Sequence, residues 1–357
     1  MWKPRAKIGA RPLTHAPYSD VERIMTNLRS YDRDQWAKAF SEAAEPYEEK
    51  GRAAEGVGDL ALARENYLRA YGLYHLGRFP TTNSAGKLGA YRKSQEMFAK
   101  IVSLSANPPD RLVIPFSGRF GEGSSIIAYL YRPRGHAPFP LLVIWGGIDG
   151  YKEDRGDLGQ ILDRGIAVLS MDCPGVGDSP LKGSEDAERM FGAVFDWIRT
   201  RDDLNANKVA AWGISTGGYW ATKVAHTNKD MVSCVVSQGG CAHYAFEKDW
   251  ICKAEKGEYP FELAETLAYA FGRSTFEEWV DYAPKLSLLR QGILDRPSAP
   301  LLLVNGIHDS VFPINDCYLL LEHGSEKSAR FFNVGHGGQT EETIPIILNW
   351  MSKNLAK

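Results

Sequence analysis

The sequence predicts an α/β chain: a mostly parallel sheet of about eight strands with helices on both faces, preceded by an all-helical domain. Three observations carry this reading. Upstream of Asn107-Pro108-Pro109, apolar residues recur at three- and four-residue steps. Downstream, short apolar runs alternate with helical stretches. One strand-to-helix junction carries a glycine-flanked serine. The change of character predicts two domains, residues 1–108 and 109–357, in keeping with about 150 residues per domain.

The upstream stripes define three helices. Asp34–Lys50 places Trp36, Phe40 and Tyr47 on one face. Asp59–Gly77 does so with Leu60, Ala63, Tyr67, Ala70, Tyr71 and Tyr74, behind the start signal Gly58-Asp59. Leu88–Val102 repeats the pattern with Tyr91, Met97, Phe98, Ile101 and Val102. The stretch Gly51–Tyr74 is similar to one helical pair of a tetratricopeptide array. No second copy occurs at that period and one unit cannot bury its own face, so a helical domain that docks on the rest of the chain is the better reading.

Downstream, Arg111–Phe116 and Ser124–Arg132 read as an antiparallel edge joined by a Gly-rich turn. Six further strands are expected at Leu141–Trp145, Ala167–Met171, Val209–Gly213, Val232–Val236, Leu301–Asn305 and Ala329–Val334. Helices over Glu185–Arg201, Gly217–His226, Ile314–His323 and Glu342–Leu355 alternate with them, which implies right-handed crossovers and parallel pairing. Roughly sixty residues separate Gly240 from Pro300, far beyond an ordinary connection. This aromatic- and carboxylate-rich insertion, about 241–297, is expected to be a lid over a site at the carboxyl ends of the strands.

Composition narrows the function. Apolar residues make up 44% and charged residues 24%, as in a globular protein with a large core. With 42 basic against 44 acidic residues there is no excess to neutralise a phosphate backbone, so no nucleic-acid partner is expected. No apolar run reaches the roughly 18 residues that span a bilayer, so no membrane partner is expected either. The basic segment 1–7 leads into no hydrophobic stretch and does not read as a secretory signal. Cys173, Cys234, Cys241, Cys252 and Cys317 show no C-x-x-C spacing, so neither a disulfide framework nor a zinc site is expected. These features point to a cytoplasmic protein with reduced thiols.

The chemistry centres on Trp212-Gly213-Ile214-Ser215-Thr216-Gly217-Gly218, a G-x-S-x-G turn between an apolar strand and a small-residue helix. So tight a turn needs glycine neighbours, and it lifts the serine hydroxyl above the sheet. The backbone N–H of Thr216 then faces a developing oxyanion. A serine needs a base, and the base an orienting group. In the chain order that accompanies this turn, the acid comes after the serine and the histidine last. Asp309, after Leu301–Asn305, is the candidate acid, and His336, between glycines after Ala329–Val334, the candidate base. His308 reads as a satisfied polar residue, and Asp316 and His323 as solvent-facing residues of the next helix. His226 is expected at a helix end and His75 in the packing of the helical domain. The second oxyanion donor is expected from Gly146–Lys152, at the N–H of Ile148 or of neighbouring Gly147. The loop Asp172–Ser179 is Gly-rich but lacks the spacing of a phosphate cradle.

Together these residues resemble one branch of the α/β-hydrolase superfamily, the branch with an N-terminal helical cap typified by 2,6-dihydroxypseudooxynicotine hydrolase and the fermentation–respiration switch protein family. Further motifs carry the resemblance: Tyr31–Trp36, Ala63–Tyr67, Val143–Glu153 and the Asp172–Gly177 loop. It covers the chain from about Tyr31 onward, and fungal hydrolases that shorten polyketides are similar in outline. The resemblance implies a serine hydrolase with Ser215, Asp309 and His336 as its triad. Its substrate would be an aromatic or polyketide-like small molecule, cleaved at an ester or at a carbon–carbon bond next to a ketone. It also implies an auxiliary carboxylate at Glu247, with Asp249 as the near alternative and Tyr244 beside them, a homodimer, and no metal or organic cofactor. Two other readings share the scaffold: an acyltransferase or cyclase using the same nucleophile, and a non-catalytic regulatory protein.

Overall fold

The computed structural model describes residues 12–156 and 158–356; the basic segment 1–7 lies outside them. The chain forms two compact units, Met1–Pro109 and Asp110–Lys357.

The first unit is all-helical: α1 (Tyr18–Asn27), α2 (Arg33–Gly56), α3 (Leu60–Arg78) and α4 (Ala85–Ser103). Three helices begin at side-chain caps. Asp32, Asp59 and Ser84 accept the N–H of Gln35, Leu62 and Lys87. The predicted stripes form the core, with Trp36, Phe40, Tyr67, Tyr74 and Met97 buried. Polar tips of the stripe find partners on α2: Tyr67 donates to Glu55 at 2.6 Å and Tyr74 to Glu48 at 2.7 Å. At Gly51 a Cβ would stand 2.6 Å from the Tyr67 ring, so only glycine lets α2 and α3 approach this closely. His75 is buried beside Arg78, as its packing reading expects. Helix α1, which buries Val21 and Ile24, is not among the predicted helices.

The second unit is built on one eight-stranded sheet. Its strands are β1 (Asp110–Pro115), β2 (Ser125–Tyr131), β3 (Phe139–Trp145), β4 (Ala167–Met171), β5 (Leu204–Ile214), β6 (Cys234–Gln238), β7 (Leu301–Gly306) and β8 (Ser328–Phe332), in the order β1-β2-β4-β3-β5-β6-β7-β8. The β1–β2 and β2–β4 pairs are antiparallel and all others parallel. Helices α5 (Gly159–Leu162), α6 (Arg189–Arg199) and α7 (Thr216–Thr227) connect strands as far as β6. Strand β5 starts earlier than the apolar pattern implies, because Leu204 still pairs with Phe139 across a register shift. The central strands β3, β4 and β6 are buried nearly throughout, which is why they read as continuous apolar runs.

The insertion between β6 and β7 holds a short turn at Tyr244–Phe246, then α8 (Lys248–Ala254), α9 (Leu263–Ala270), α10 (Phe276–Tyr282) and a turn at Ala283–Leu286. Helices α11 (Ile314–Glu322) and α12 (Thr343–Leu355) complete the unit. Several insertion aromatics serve packing. Phe246 meets Tyr219 edge-on at 5.2 Å, while Phe271 stacks on Trp220 at 6.0 Å and also contacts Trp279. The structure corrects one expectation here: Asp316 does not face solvent. It is fully buried, and its carboxylate accepts the N–H groups of His243, Tyr244 and Ala245, fastening the start of the insertion to α11. Burial pushes its pKa up, and those N–H bonds partly counter the rise. All five cysteines are free thiols, four buried and Cys252 exposed on α8. No helix among the described residues is long and apolar enough to cross a membrane.

Candidate active site

The carboxyl ends of β3, β5, β7 and β8 meet at Ser215. This serine holds the strained turn between β5 and α7, with φ 59° and ψ −127°. Its glycine neighbours are required by contact. A Cβ at Gly213 would collide with the Gly217 carbonyl, and one at Gly217 with the Gly146 carbonyl. Trp145 locks the turn by donating its Nε1–H to the Gly217 carbonyl at 2.8 Å. The Ser215 N–H donates to the Gln238 carbonyl on β6 at 2.7 Å.

The predicted acid and base converge on this serine. His336 Nε2 lies 2.8 Å from Ser215 Oγ, and its Nδ1 2.8 Å from Asp309 Oδ2. Asp309 is buried, with Oδ1 accepting the N–H of Val311 and Phe312 and Oδ2 also accepting from Asn305. This leaves the carboxylate one orientation, facing the imidazole. Phe312 packs edge-on against the His336 ring at 5.6 Å. Burial alone would lower the His336 pKa, but the carboxylates of Asp309, Glu258 and Asp149 outweigh it and hold it above the ordinary value.

The loop after β3 passes close to Ser215. A Cβ at Gly147 would lie 2.7 Å from Ser215 Cβ and 3.1 Å from its Oγ. No acceptor among the described residues takes the N–H of Ile148 or of Thr216. The free N–H of Thr216 directly follows the serine in the chain, and that of Ile148 directly follows Gly147, which packs against Ser215.

The auxiliary residues lie differently. Glu247 is paired with Arg290 at 2.7 Å, Asp249 is exposed in the first turn of α8, and Tyr244 is exposed beside His243. No hydrogen bond among the described residues joins any of the three to Ser215 or His336. His308 bonds Asn333 at 2.7 Å and His323 bonds Asp295 at 2.8 Å. His226, near the end of α7, bonds the Arg296 carbonyl, and burial lowers its pKa to about 4.

Sequence reasoning missed three supports. Fully buried Asn305 accepts the N–H groups of Gly306 and Gly337 and donates to Asp309, linking the acid and base loops. Its one signal is an amide at the end of an apolar strand. Lys152 is fully buried among Glu153, Asp172 and Asp178, at 2.9, 3.0 and 2.6 Å. This cluster ties the loop after β3 to the loop after β4 and gives the Gly-rich Asp172–Ser179 segment a structural purpose. Glu258 of the insertion accepts the His336 N–H; nothing in its local sequence marks it.

Known proteins agree with this architecture. The sequence profile of the FrsA-like family (Esterase FrsA-like) matches residues 19–356. The chain is 25% identical to 2,6-dihydropseudooxynicotine hydrolase of Paenarthrobacter nicotinovorans over 281 residues, 77% of this chain and 71% of that protein. It is 24% identical to Esterase FrsA of Escherichia coli over 329 residues, 86% of this chain and 74% of that one. It is 26% identical to the α/β hydrolase ucsC of an Acremonium species over 242 residues, 61% of this chain and only 49% of that longer protein. Among solved structures, 2,6-dihydroxy-pseudo-oxynicotine hydrolase superposes with a TM-score of 0.78 at 20% identity, covering 99% of this chain and 96% of that one. AbyA5 superposes with a TM-score of 0.71 at 22% identity, covering 93% and 94%. At these identities the structural likeness speaks to the fold, which is that of the α/β hydrolases. The profile match over nearly the whole chain identifies it as a hydrolase belonging to the FrsA-like esterase family.

Proposed function

We propose that this hydrolase works through an acyl-enzyme on Ser215. The observation that carries the reading is the continuous chain of hydrogen bonds from Ser215 through His336 to Asp309. His336 takes the serine proton as Oγ attacks a substrate carbonyl. The N–H groups of Thr216 and of Ile148 or Gly147 receive the oxyanion. His336 then returns the proton to the departing group, and Asp309 steadies the imidazolium in between. Water, deprotonated by His336, releases the acid and restores the serine.

An ester of a small molecule is the substrate this geometry supports best. An alkoxide or phenolate leaves with one proton from His336. Cleaving a carbon–carbon bond next to a ketone also requires a proton or delocalisation for a carbanion. Glu247, which the family resemblance offers for that purpose, is engaged by Arg290. The aromatic or polyketide-like class of substrate rests on the relatives, because insertion aromatics such as Phe246 and Phe271 are occupied in packing.

The test is intact-protein mass spectrometry of wild type and Ser215→Ala after incubation with p-nitrophenyl acetate, alongside the release rate. Wild type should gain one acetyl group and turn over, and the variant should do neither. A wild type that is never acylated, and that also resists a fluorophosphonate, would leave the regulatory-protein reading in its place. Turnover in added alcohol that yields more transfer product than acid would favour an acyltransferase.

A further inference from the structure

Several side chains of the insertion reach the loops around Ser215: Trp250 donates to the Val311 carbonyl at 3.0 Å, Tyr259 bonds Asp149, and Glu258 touches the loops of both Asp309 and His336. Glu258 lies just beyond α8, where the chain turns over the ends of β7 and β8. Its Oε1 accepts the N–H of Ser310, the hydroxyl of Ser310 and the N–H of His336, each at 3.1 Å. Its own N–H donates to Ser310 Oγ at 2.9 Å. Ser310 directly succeeds the acid Asp309, so one carboxylate holds the acid loop and the base loop together. The glycines beside it leave space for this approach. A Cβ at Gly335 would collide with Glu258 Oε2, and one at Gly257 would stand 2.8 Å from Ser310 Oγ.

We propose that Glu258 is a positioning residue for the base: it anchors the insertion on the loops of Asp309 and His336, and its charge favours the imidazolium that forms during acyl transfer. Three carboxylates act on the imidazole, from three separate elements. Asp309 comes after β7, Asp149 comes after β3 and is bonded by Tyr259 of the insertion at 3.1 Å, and Glu258 lies in the insertion itself. Together they overcome the effect of burial and raise the His336 pKa. Asp309 acts by direct contact, whereas Glu258 acts through the backbone N–H of His336 and through space. An insertion that moved away would take this charge with it, so the strength of the base is coupled to the seating of the insertion.

The proposal rests on His336 being the base, and the test separates the two ideas. The imidazole of His336 is titrated by NMR in wild type, Glu258→Gln and Glu258→Ala, with His336→Asn to assign the signal. The glutamine keeps an acceptor for the same N–H groups and removes the charge. In the glutamine variant the His336 midpoint should fall by roughly half a unit, a modest shift because Glu258 is exposed to screening solvent. The pH profile of kcat/KM for p-nitrophenyl acetate should move with it. Neutral imidazole is the active form, so activity rises with pH through the midpoint, and that rise should begin at lower pH in the variant. Glu258→Ala should also lower kcat several-fold with KM nearly unchanged, as the loops lose their tie. A titration of Glu258→Gln that superimposes on wild type overturns the proposal. If Glu258→Ala does not fold, the glutamine variant still decides. A midpoint that falls in a protein with no esterase activity keeps the charge coupling and overturns the assignment of His336 as base.

Discussion

Gly147 and Ser215 stand so close that the glycine defines one wall of the site. Any side chain there would press on Ser215. Gly147→Ala should therefore lower esterase kcat by at least about tenfold while melting within a few degrees of wild type, because the insult is confined to one contact. Parallel measurements of kcat and Tm check this. Ser215, Asp309 and His336 are legible in the sequence because their chemistry dictates chain order and glycine neighbours. Asn305 and Glu258 are not, because each acts by accepting backbone N–H groups from residues far along the chain, such as Gly337 and His336. No local pattern encodes such a partner. Asp316 misleads for the same reason: its helix looks half-exposed, but its carboxylate answers N–H groups some seventy residues upstream.

At the scale of elements, all eight strands can be read from the sequence to within about two residues except the start of β5, since buried parallel strands are short apolar runs bounded by turns. The loops between them are harder, because ion clusters and side-chain caps join them across the sheet edge. The Lys152 cluster shows the effect of such a join. One ammonium group answers three carboxylates, and Lys152 also donates its backbone N–H to Asp172 at 2.7 Å. Lys152→Met would leave the buried carboxylates of Glu153 and Asp172, and the partly exposed one of Asp178, without their shared cation. Urea denaturation should show a loss of about 3–5 kcal/mol. Activity should fall as well, because the loop that brings Gly147 and Ile148 to Ser215 begins at the same strand end.

Across the whole molecule, the composition break at Asn107–Pro109 coincides with the boundary between the two compact units. All eight strands, and Ser215, Asp309 and His336 with them, belong to the second. We expect limited proteolysis to cut first between Ser103 and Asp110, where the chain leaves α4 and most residues are exposed. The fragment from residue 110 onward should retain the circular dichroism of a mixed α/β protein. A first cut inside the sheet would count against two separately folding units.

The distribution of thiols offers one practical consequence. Four of the five cysteines are sealed in the interior, and Cys252 is exposed on the first helix of the insertion, six residues before Glu258. A maleimide dye or nitroxide should therefore couple at that one place in the unaltered sequence. The label would ride on the element whose seating bears on the base, so its emission or line shape would report, in real time and without engineered cysteines, whether the insertion shifts as substrate arrives and product departs.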